Sequence, residues 1–155
     1  MVDFERELGT LLKAPYSFIH LVTYDEARAT SFVTRLGRRE GREVLEWSLT
    51  RGLSGSGAAV PPGDFHALLD AIESIKEPHI FIVKDPHPFM EDPATVRRLR
   101  EMEGPLAAFG KTVVTISPRR LQPGDLATDV TELHVPLPDR KGLEEISRVV
   151  FPPER

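Results

Sequence analysis

The chain has 155 residues, of which 40% are hydrophobic and 28% are charged, and it carries a formal net charge of −4 and no cysteine. This length and balance predict one compact domain, and the missing cysteines exclude disulfides and thiolate metal sites. The acidic charge argues against a nucleic-acid partner. Since the sequence shows neither a signal peptide nor an apolar run long enough for a membrane span, we expect a cytoplasmic protein without a membrane partner.

The first third of the chain predicts two helices and two strands. Apolar residues at helical spacing predict a helix over Phe4–Leu12, which Pro15 ends. The apolar run Phe18–Tyr24 predicts a buried strand. Glu26–Leu36 then predicts an amphipathic helix, and Val44–Leu49 predicts a second strand.

Two glycine-containing segments of this region predict loops. Residues 37–41 (GRREG) predict a polar turn, and Arg51–Asp64 predicts a long, irregular and mobile segment. The GLSGSG stretch at Gly52–Gly57 has the glycines of a phosphate-binding loop, but it follows the second strand and lacks the lysine. We therefore interpret it as a flexible surface loop.

The second half of the chain continues the alternation. Phe65–Ile72 predicts a helix and His79–Val83 a third strand. Asp92–Leu106 predicts a helix that begins with an aspartate cap followed by proline, which is a strong start signal. Lys111–Ile116 predicts a fourth strand, and Leu121–Asp129 predicts a turn or a short helix.

The C-terminal part predicts one more strand and one more helix. Leu133–Val135 predicts a short fifth strand, and Asp139 is suited to cap the helix that follows. The apolar face of this helix consists of Leu143, Ile146 and Val150. We expect residues 1–151 to form a single domain and residues 152–155 to be a tail or linker.

Three of the five predicted strands are near-continuous apolar runs, namely Phe18–Tyr24, His79–Val83 and Lys111–Ile116. Such runs are typical of parallel strands that are buried on both faces. Right-handed crossovers through the helices then give a three-layer αβα sandwich with a mainly parallel five-stranded sheet. In such sheets, ligands bind beyond the carboxyl ends of the strands.

The residues that follow the first strand argue against phosphate binding. A phosphate cradle needs glycines and a lysine, but Thr23–Arg28 has neither. It carries Asp25 and Glu26 instead, whose charges would repel a triphosphate. We interpret Asp25 as the N-cap of the second helix.

Polar residues at the ends of the third and fourth strands form a candidate site. Asp85 follows the third strand, where an acidic residue can hold Mg²⁺, His87 lies beside it, and Ser117 ends the fourth strand. The simplest interpretation is a structural loop in which Asp85 binds neighbouring backbone N–H groups. The alternative is a nucleotide- or metal-responsive site, with ATP and Mg²⁺ as ligands.

Other exposed residues are candidates for contact with a protein partner. They are Arg51, Lys84, Phe89, Arg119 and Arg120. The arginines at 97, 98 and 100 also admit a nucleic-acid binder, but Glu101 and Glu103 follow them, so a solvated face of mixed charge is the better interpretation.

Several segments together resemble one family. FERELGTLLKAPYSFIHLVTYDEARA, VLEWSLTRGL, IFIVKDPHPFMEDPATVRRLRE, KTVVTISP and ELHVPLPDRKGLEEI are similar to the N-terminal region of plastid and bacterial AAA+ ATPases first catalogued as a hypothetical chloroplast open reading frame. In that family this region is a degenerate P-loop domain that precedes an intact AAA+ domain. The resemblance implies a P-loop NTPase fold without the Walker A loop, in which the first strand lies beside the fourth and fifth.

The resemblance also bears on function. It matches Asp85 to the acidic magnesium position, Ser117 to the sensor position and Thr23–Arg28 to the missing phosphate loop. The sequence stops at Arg155, where the catalytic domain of the family would begin. We therefore expect a regulatory or protein-binding module that is not an enzyme and needs no cofactor. The expected partner is a protein, either an AAA+ ATPase or a second copy of the chain.

Overall fold

A computed structural model of the chain describes residues 2–14, 16–54, 60–121 and 130–150. The helices within these ranges are α1 (Val2–Lys13), α2 (Glu26–Arg39), α3 (Phe65–Ser74), α4 (Pro93–Ala108) and α5 (Arg140–Val150). The strands are β1 (Phe18–Val22), β2 (Glu43–Ser48), β3 (Gly52–Ser54), β4 (His79–Lys84), β5 (Thr112–Ser117) and β6 (Thr131–His134). A short 3₁₀ turn covers His87–Phe89.

The strands form one sheet in the order β3-β2-β4-β5-β1-β6. Every neighbouring pair is parallel except β2 and β3, which form an antiparallel hairpin with Trp47 opposite Leu53. The strand that begins at Phe18 lies between β5 and β6, as the family resemblance implied. The α/β prediction with a mainly parallel sheet is confirmed.

Helices cover both faces of the sheet and create two separate cores. One core joins α1 and α2 to residues such as Ile19, Ile82 and Val114. The other joins α3 and α4 to residues such as Phe81 and Val113. Because alternate residues of β1, β4 and β5 enter opposite cores, these strands must be apolar throughout, which explains their continuous apolar runs.

The prediction of five strands was wrong by one. β3 lies inside Arg51–Asp64, which the sequence predicted to be irregular. Gly-Leu-Ser has little intrinsic preference for a strand, so its conformation depends on pairing with β2. Of the remaining loop, residues 55–59 are outside the described part of the chain.

The second helix is also longer than predicted. α2 continues through Gly37 to Arg39, so the turn before β2 begins only at Glu40. Gly37 is buried, and a Cβ at this position would lie 2.6 Å from Cδ1 of Ile80. The glycine therefore serves close packing of the helix on the sheet, which the sequence does not distinguish from a turn. Three predicted features, at Pro15, residues 122–129 and the tail, are outside the described residues.

Aspartates cap the N-termini of four helices. Asp25, Asp64 and Asp92 each accept a backbone N–H from the first turn of α2, α3 and α4, respectively. The Oδ1 of Asp139 accepts the N–H of Gly142 in α5 at 2.8 Å. The caps at 25, 92 and 139 were predicted, and the cap at 64 was not.

Helix α5 stands apart from both cores. Its apolar residues Leu143 and Val150 are 56% and 59% exposed, and neither belongs to a core cluster. The side chain of Ile146 is outside the described part of the chain. No helix in the described ranges has the length and apolar character needed to cross a membrane.

Candidate functional site

A cleft of about 850 Å³ opens at the carboxyl ends of β2 and β4. One wall is the turn over residues 48–52, and the other is the loop that follows β4, including Asp85, His87 and Phe89. Trp47 and Glu46 of β2 also line the cleft, as does Glu26 at the start of α2. This is the edge of the sheet at which α/β proteins bind ligands.

Lys84 is neutralised within this cleft. Its Nζ lies 3.6 Å from a carboxylate oxygen of Glu26 and 3.6 Å from one of Glu46. The two carboxylates come from α2 and β2, so the three charges join a helix, a strand and the end of β4. Lys84 is therefore held inside the site and is not a free surface cation.

The carboxylate of Asp85, unlike the ammonium group of Lys84, has no partner among the described residues. Its backbone has φ 51°, in the left-handed region that residues with a side chain rarely adopt, and its N–H donates to the carbonyl of Ile116 at 2.9 Å. The predicted role as a local hydrogen-bond acceptor is not seen, because no described residue donates to the carboxylate. The carboxylate is exposed and lines the cleft.

Aromatic rings form the apolar side of the cleft. The ring of Phe89 is stacked on Phe65 with centroids 4.5 Å apart, and both rings meet Trp47 edge-on at 5.9 and 5.6 Å. Trp47 is 1% exposed, and no described residue accepts a hydrogen bond from its Nε1–H. Nδ1 of His87 is also buried without a described partner. Such unpaired groups are costly in a folded protein.

The N-terminus of α2 does not fit a bound triphosphate. The Oδ1 of Asp25 accepts the N–H of Arg28 at 3.2 Å, and the N–H of Asp25 donates to Oγ1 of Thr23 at 2.9 Å. Two backbone donors that a phosphate loop would offer are thus used within the turn. The Glu26 carboxylate adds a second negative charge at the end of the helix where a phosphate would bind.

Ser117 lies away from the cleft. Its side chain is buried and donates to the carbonyl of Arg119 at 2.7 Å. The same carbonyl accepts from Nε2 of His20 at 2.8 Å, while Nδ1 of His20 lies 2.7 Å from Oγ1 of Thr115. Nε2 carries a proton, because a carbonyl oxygen can only accept, and in a neutral ring Nδ1 then accepts from the Thr115 hydroxyl. Burial lowers the pKa of His20, which favours the neutral ring.

The remaining predicted contact residues lie on other surfaces. Arg120 binds Glu132 at 2.7 Å, and Arg119 follows Ser117 at the end of β5. On α4, Arg97 binds Glu101 at 2.8 Å, and Arg98 binds Asp70 and Glu73 of α3. A charged face with such internal pairs offers little free positive charge for a nucleic acid.

The fold agrees with what the comparisons with known proteins find. The model of the family described as SpoVK-like AAA ATPase, N-terminal domain, matches residues 4–135. The chain belongs to this family. The match covers every strand of the sheet and ends before α5.

Two curated relatives extend the similarity of this SpoVK-like N-terminal domain. Both are called uncharacterized AAA domain-containing protein ycf46. The protein from Guillardia theta is 28% identical over 153 residues, which cover 93% of this chain and 29% of the relative. The protein from Trieres chinensis is 27% identical over 159 residues, which cover 96% of this chain and 31% of the relative. The chain thus spans less than a third of the length of these relatives.

A solved structure shows the same fold. A chain in the structure of Drosophila ORC bound to DNA superimposes with a TM-score of 0.52 over 94% of this chain and 45% of that chain. The sequence identity is 13%, so this likeness concerns the fold alone.

Of the predicted site residues of this SpoVK-like domain, five line the cleft, namely Arg51, Lys84, Asp85, His87 and Phe89. The sequence did not identify the lining role of Trp47 or the pairing of Glu26 and Glu46 with Lys84. A lone tryptophan within a strand predicts only a core residue, and the ion pairs depend on strand order. Within the described residues, no three histidine, aspartate or glutamate side chains are grouped to hold a metal ion.

Proposed function

We propose that this chain is a non-catalytic interaction module that binds an AAA+ ATPase domain, either within one protein or between two. The observation that carries the proposal is the N-terminus of α2. There, Asp25 takes the place of a phosphate, and its carboxylate accepts the helix N–H of Arg28. A domain with this turn keeps the AAA+-like sheet but has lost the means to hold a triphosphate.

Helix α5 supplies a surface for the partner. Leu143 and Val150 lie seven residues apart, so they are about 20° apart around the helix axis and form one stripe. An exposed apolar stripe on an otherwise charged helix is typical of a face that packs against another protein element. The relatives carry an AAA domain in their names and are more than three times as long as the matched region, which makes such a domain the natural partner.

Binding to the part of the Guillardia theta relative that this chain does not match tests the proposal. We expect Leu143→Glu and Val150→Glu each to raise the dissociation constant about tenfold or more, because a charge then enters an apolar contact. Val149→Glu is the matched control, since Val149 is 82% exposed and points about 120° away from Leu143. Isothermal titration calorimetry gives the three constants.

Two outcomes would contradict this proposal. If the unmodified chain does not bind, the AAA+ domain is not its partner. If Val149→Glu weakens binding as much as the other two substitutions, the α5 stripe is not the binding surface. Sedimentation equilibrium of the chain alone tests the other protein partner, a second copy. A concentration-dependent dimer that Val150→Glu dissociates would favour self-association.

A second candidate function is a nucleotide- or metal-responsive domain centred on Asp85. Its support is the unusual backbone of this residue, together with a carboxylate that has no partner among the described residues, since strained residues are often found at functional sites. It predicts calorimetric binding of MgATP, or of Mg²⁺ alone, that Asp85→Ala abolishes. We expect no heat of binding from either ligand, because the turn at α2 offers no cradle for the phosphates.

A further inference from the structure

The cleft beside β2 contains two charged side chains of opposite sign that are unpaired among the described residues. Arg51 belongs to the turn after β2, and Asp85 belongs to the loop after β4. Neither side chain has an ion pair or hydrogen bond to a described residue, whereas Lys84, which also lines the cleft, is paired with Glu26 and Glu46. A ligand that satisfies both walls must therefore carry a cationic group and an anionic group.

Apolar side chains line the cleft together with its charged groups. Leu49 is 48% exposed on the turn, and Phe89 presents its ring from the opposite wall. The indole of Trp47 lies beside them, more than nine-tenths buried, with an N–H that lacks an acceptor among the described residues. A carbonyl oxygen is the acceptor that would satisfy this donor, and its approach would recover the free energy lost by leaving the group unpaired.

These features exclude a polyphosphate as the best ligand. The lining groups include three carboxylates, of Glu26, Glu46 and Asp85, against two cations, of Lys84 and Arg51. The surplus is negative, so a multiply charged anion would be repelled. A volume of about 850 Å³ is within the range of clefts that bury a small or peptide-sized ligand.

We propose that this cleft binds a short peptide segment of a partner protein, in which a basic side chain meets Asp85, an acidic group meets Arg51 and an apolar side chain lies against Trp47 and Phe89. The inference rests on the proposed function only in assigning the peptide to a protein partner. The cleft is at the strand ends, whereas the stripe on α5 is outside the sheet. The two surfaces therefore can be tested separately.

Trp47 provides a direct reporter, because the chain contains one tryptophan. The probe is a capped heptapeptide with one arginine, a central leucine and one glutamate separated by glycines. In ¹⁵N–¹H NMR titrations we expect a saturable shift of the single indole Nε1–H signal. Asp85→Asn and Arg51→Gln should each raise the dissociation constant about tenfold, as expected for loss of a charged hydrogen bond.

A double-mutant cycle identifies the pairing. Replacing the arginine of the probe by glutamine should reduce the affinity of the unmodified protein. It should change the affinity of the Asp85→Asn variant little, because the contact between the arginine and Asp85 is already lost there. The corresponding glutamate-to-glutamine probe should do the same with Arg51→Gln. Asp3→Asn on α1 and Arg97→Gln on α4 are matched controls, since both residues are exposed and neither lines the cleft.

Three results would overturn the inference. The first is an indole signal that does not move up to millimolar probe, and the second is a shift that is unchanged in both cleft variants. The third is a larger shift with MgATP than with the peptide, which would favour the candidate centred on Asp85. None of these depends on α5, so failure here leaves the test of the AAA+ partner intact, and the reverse also holds.

Discussion

A single buried histidine links the stability of this domain to pH. His20 is fully buried in β1, and burial lowers the pKa of its ring from the ordinary value of 6.5, although its hydrogen bonds to Arg119 and Thr115 and the charge of Glu132 oppose this. Above pH 6.5 the ring is neutral in both the folded and the unfolded chain. Below it, the unfolded ring gains a proton that the folded ring resists, so the free energy of unfolding decreases as the pH falls.

We expect this loss to begin near pH 6.5 and to reach a slope of at most about 1.4 kcal/mol per pH unit. His20→Gln should remove it, because the amide retains a donor and an acceptor but does not titrate. Urea unfolding, followed by tryptophan fluorescence, gives the free energy of unfolding of both proteins. It is measured at several pH values between 5 and 7.5, roughly the range in which an imidazole titrates. Equal slopes in the two proteins would contradict the assignment to His20.

At the scale of an element, the β2–β3 hairpin depends on one glycine. Gly52 has φ +68°, and a Cβ at this position would lie 2.3 Å from the carbonyl oxygen of Val60. Gly41 has nearly the same φ, +69°, but has open space around it. We expect Gly41→Ala to cost about 1 kcal/mol, for the left-handed backbone alone, and Gly52→Ala to cost about 2–4 kcal/mol. Urea unfolding measures both, and similar costs would show that Val60 moves away freely.

The same hairpin contains β3, the strand that the sequence did not predict. The parallel strands were recognisable because burial on both faces demands continuous apolar runs such as His79–Val83. β3 has one apolar residue in a glycine- and serine-rich segment, and only its pairing with β2 makes it a strand. Likewise, Asp85 was predictable as a strand-end residue. That no described residue pairs with its carboxylate, and that Glu46 pairs with Lys84, depend on which strands are neighbours.

At the scale of the whole molecule, the polar residues predicted as one centre are divided between two places. Asp85 and His87 line the cleft beside β2, whereas Ser117 joins the buried network of His20 on the other side of β5. The direction in which a side chain leaves a strand end is set by the pleat and by local turns. Residue spacing along the chain therefore could not show that these groups are separated.

The position of α5 predicts that the sheet and its four packed helices fold without it. No α5 residue whose side chain is described belongs to either core, and the family match ends at residue 135. Arg28 donates to the carbonyl of Pro136 at 2.7 Å, so a shortened chain should retain residues through Pro138.

We expect a chain that ends after Pro138 to melt within about 2 °C of the full chain, because little buried surface is lost. It should no longer bind the AAA+ partner, although the Trp47 signal should still respond to the peptide probe. Differential scanning calorimetry gives the melting temperatures, and a decrease of about 8 °C or more would mean that α5 contributes to the folded core.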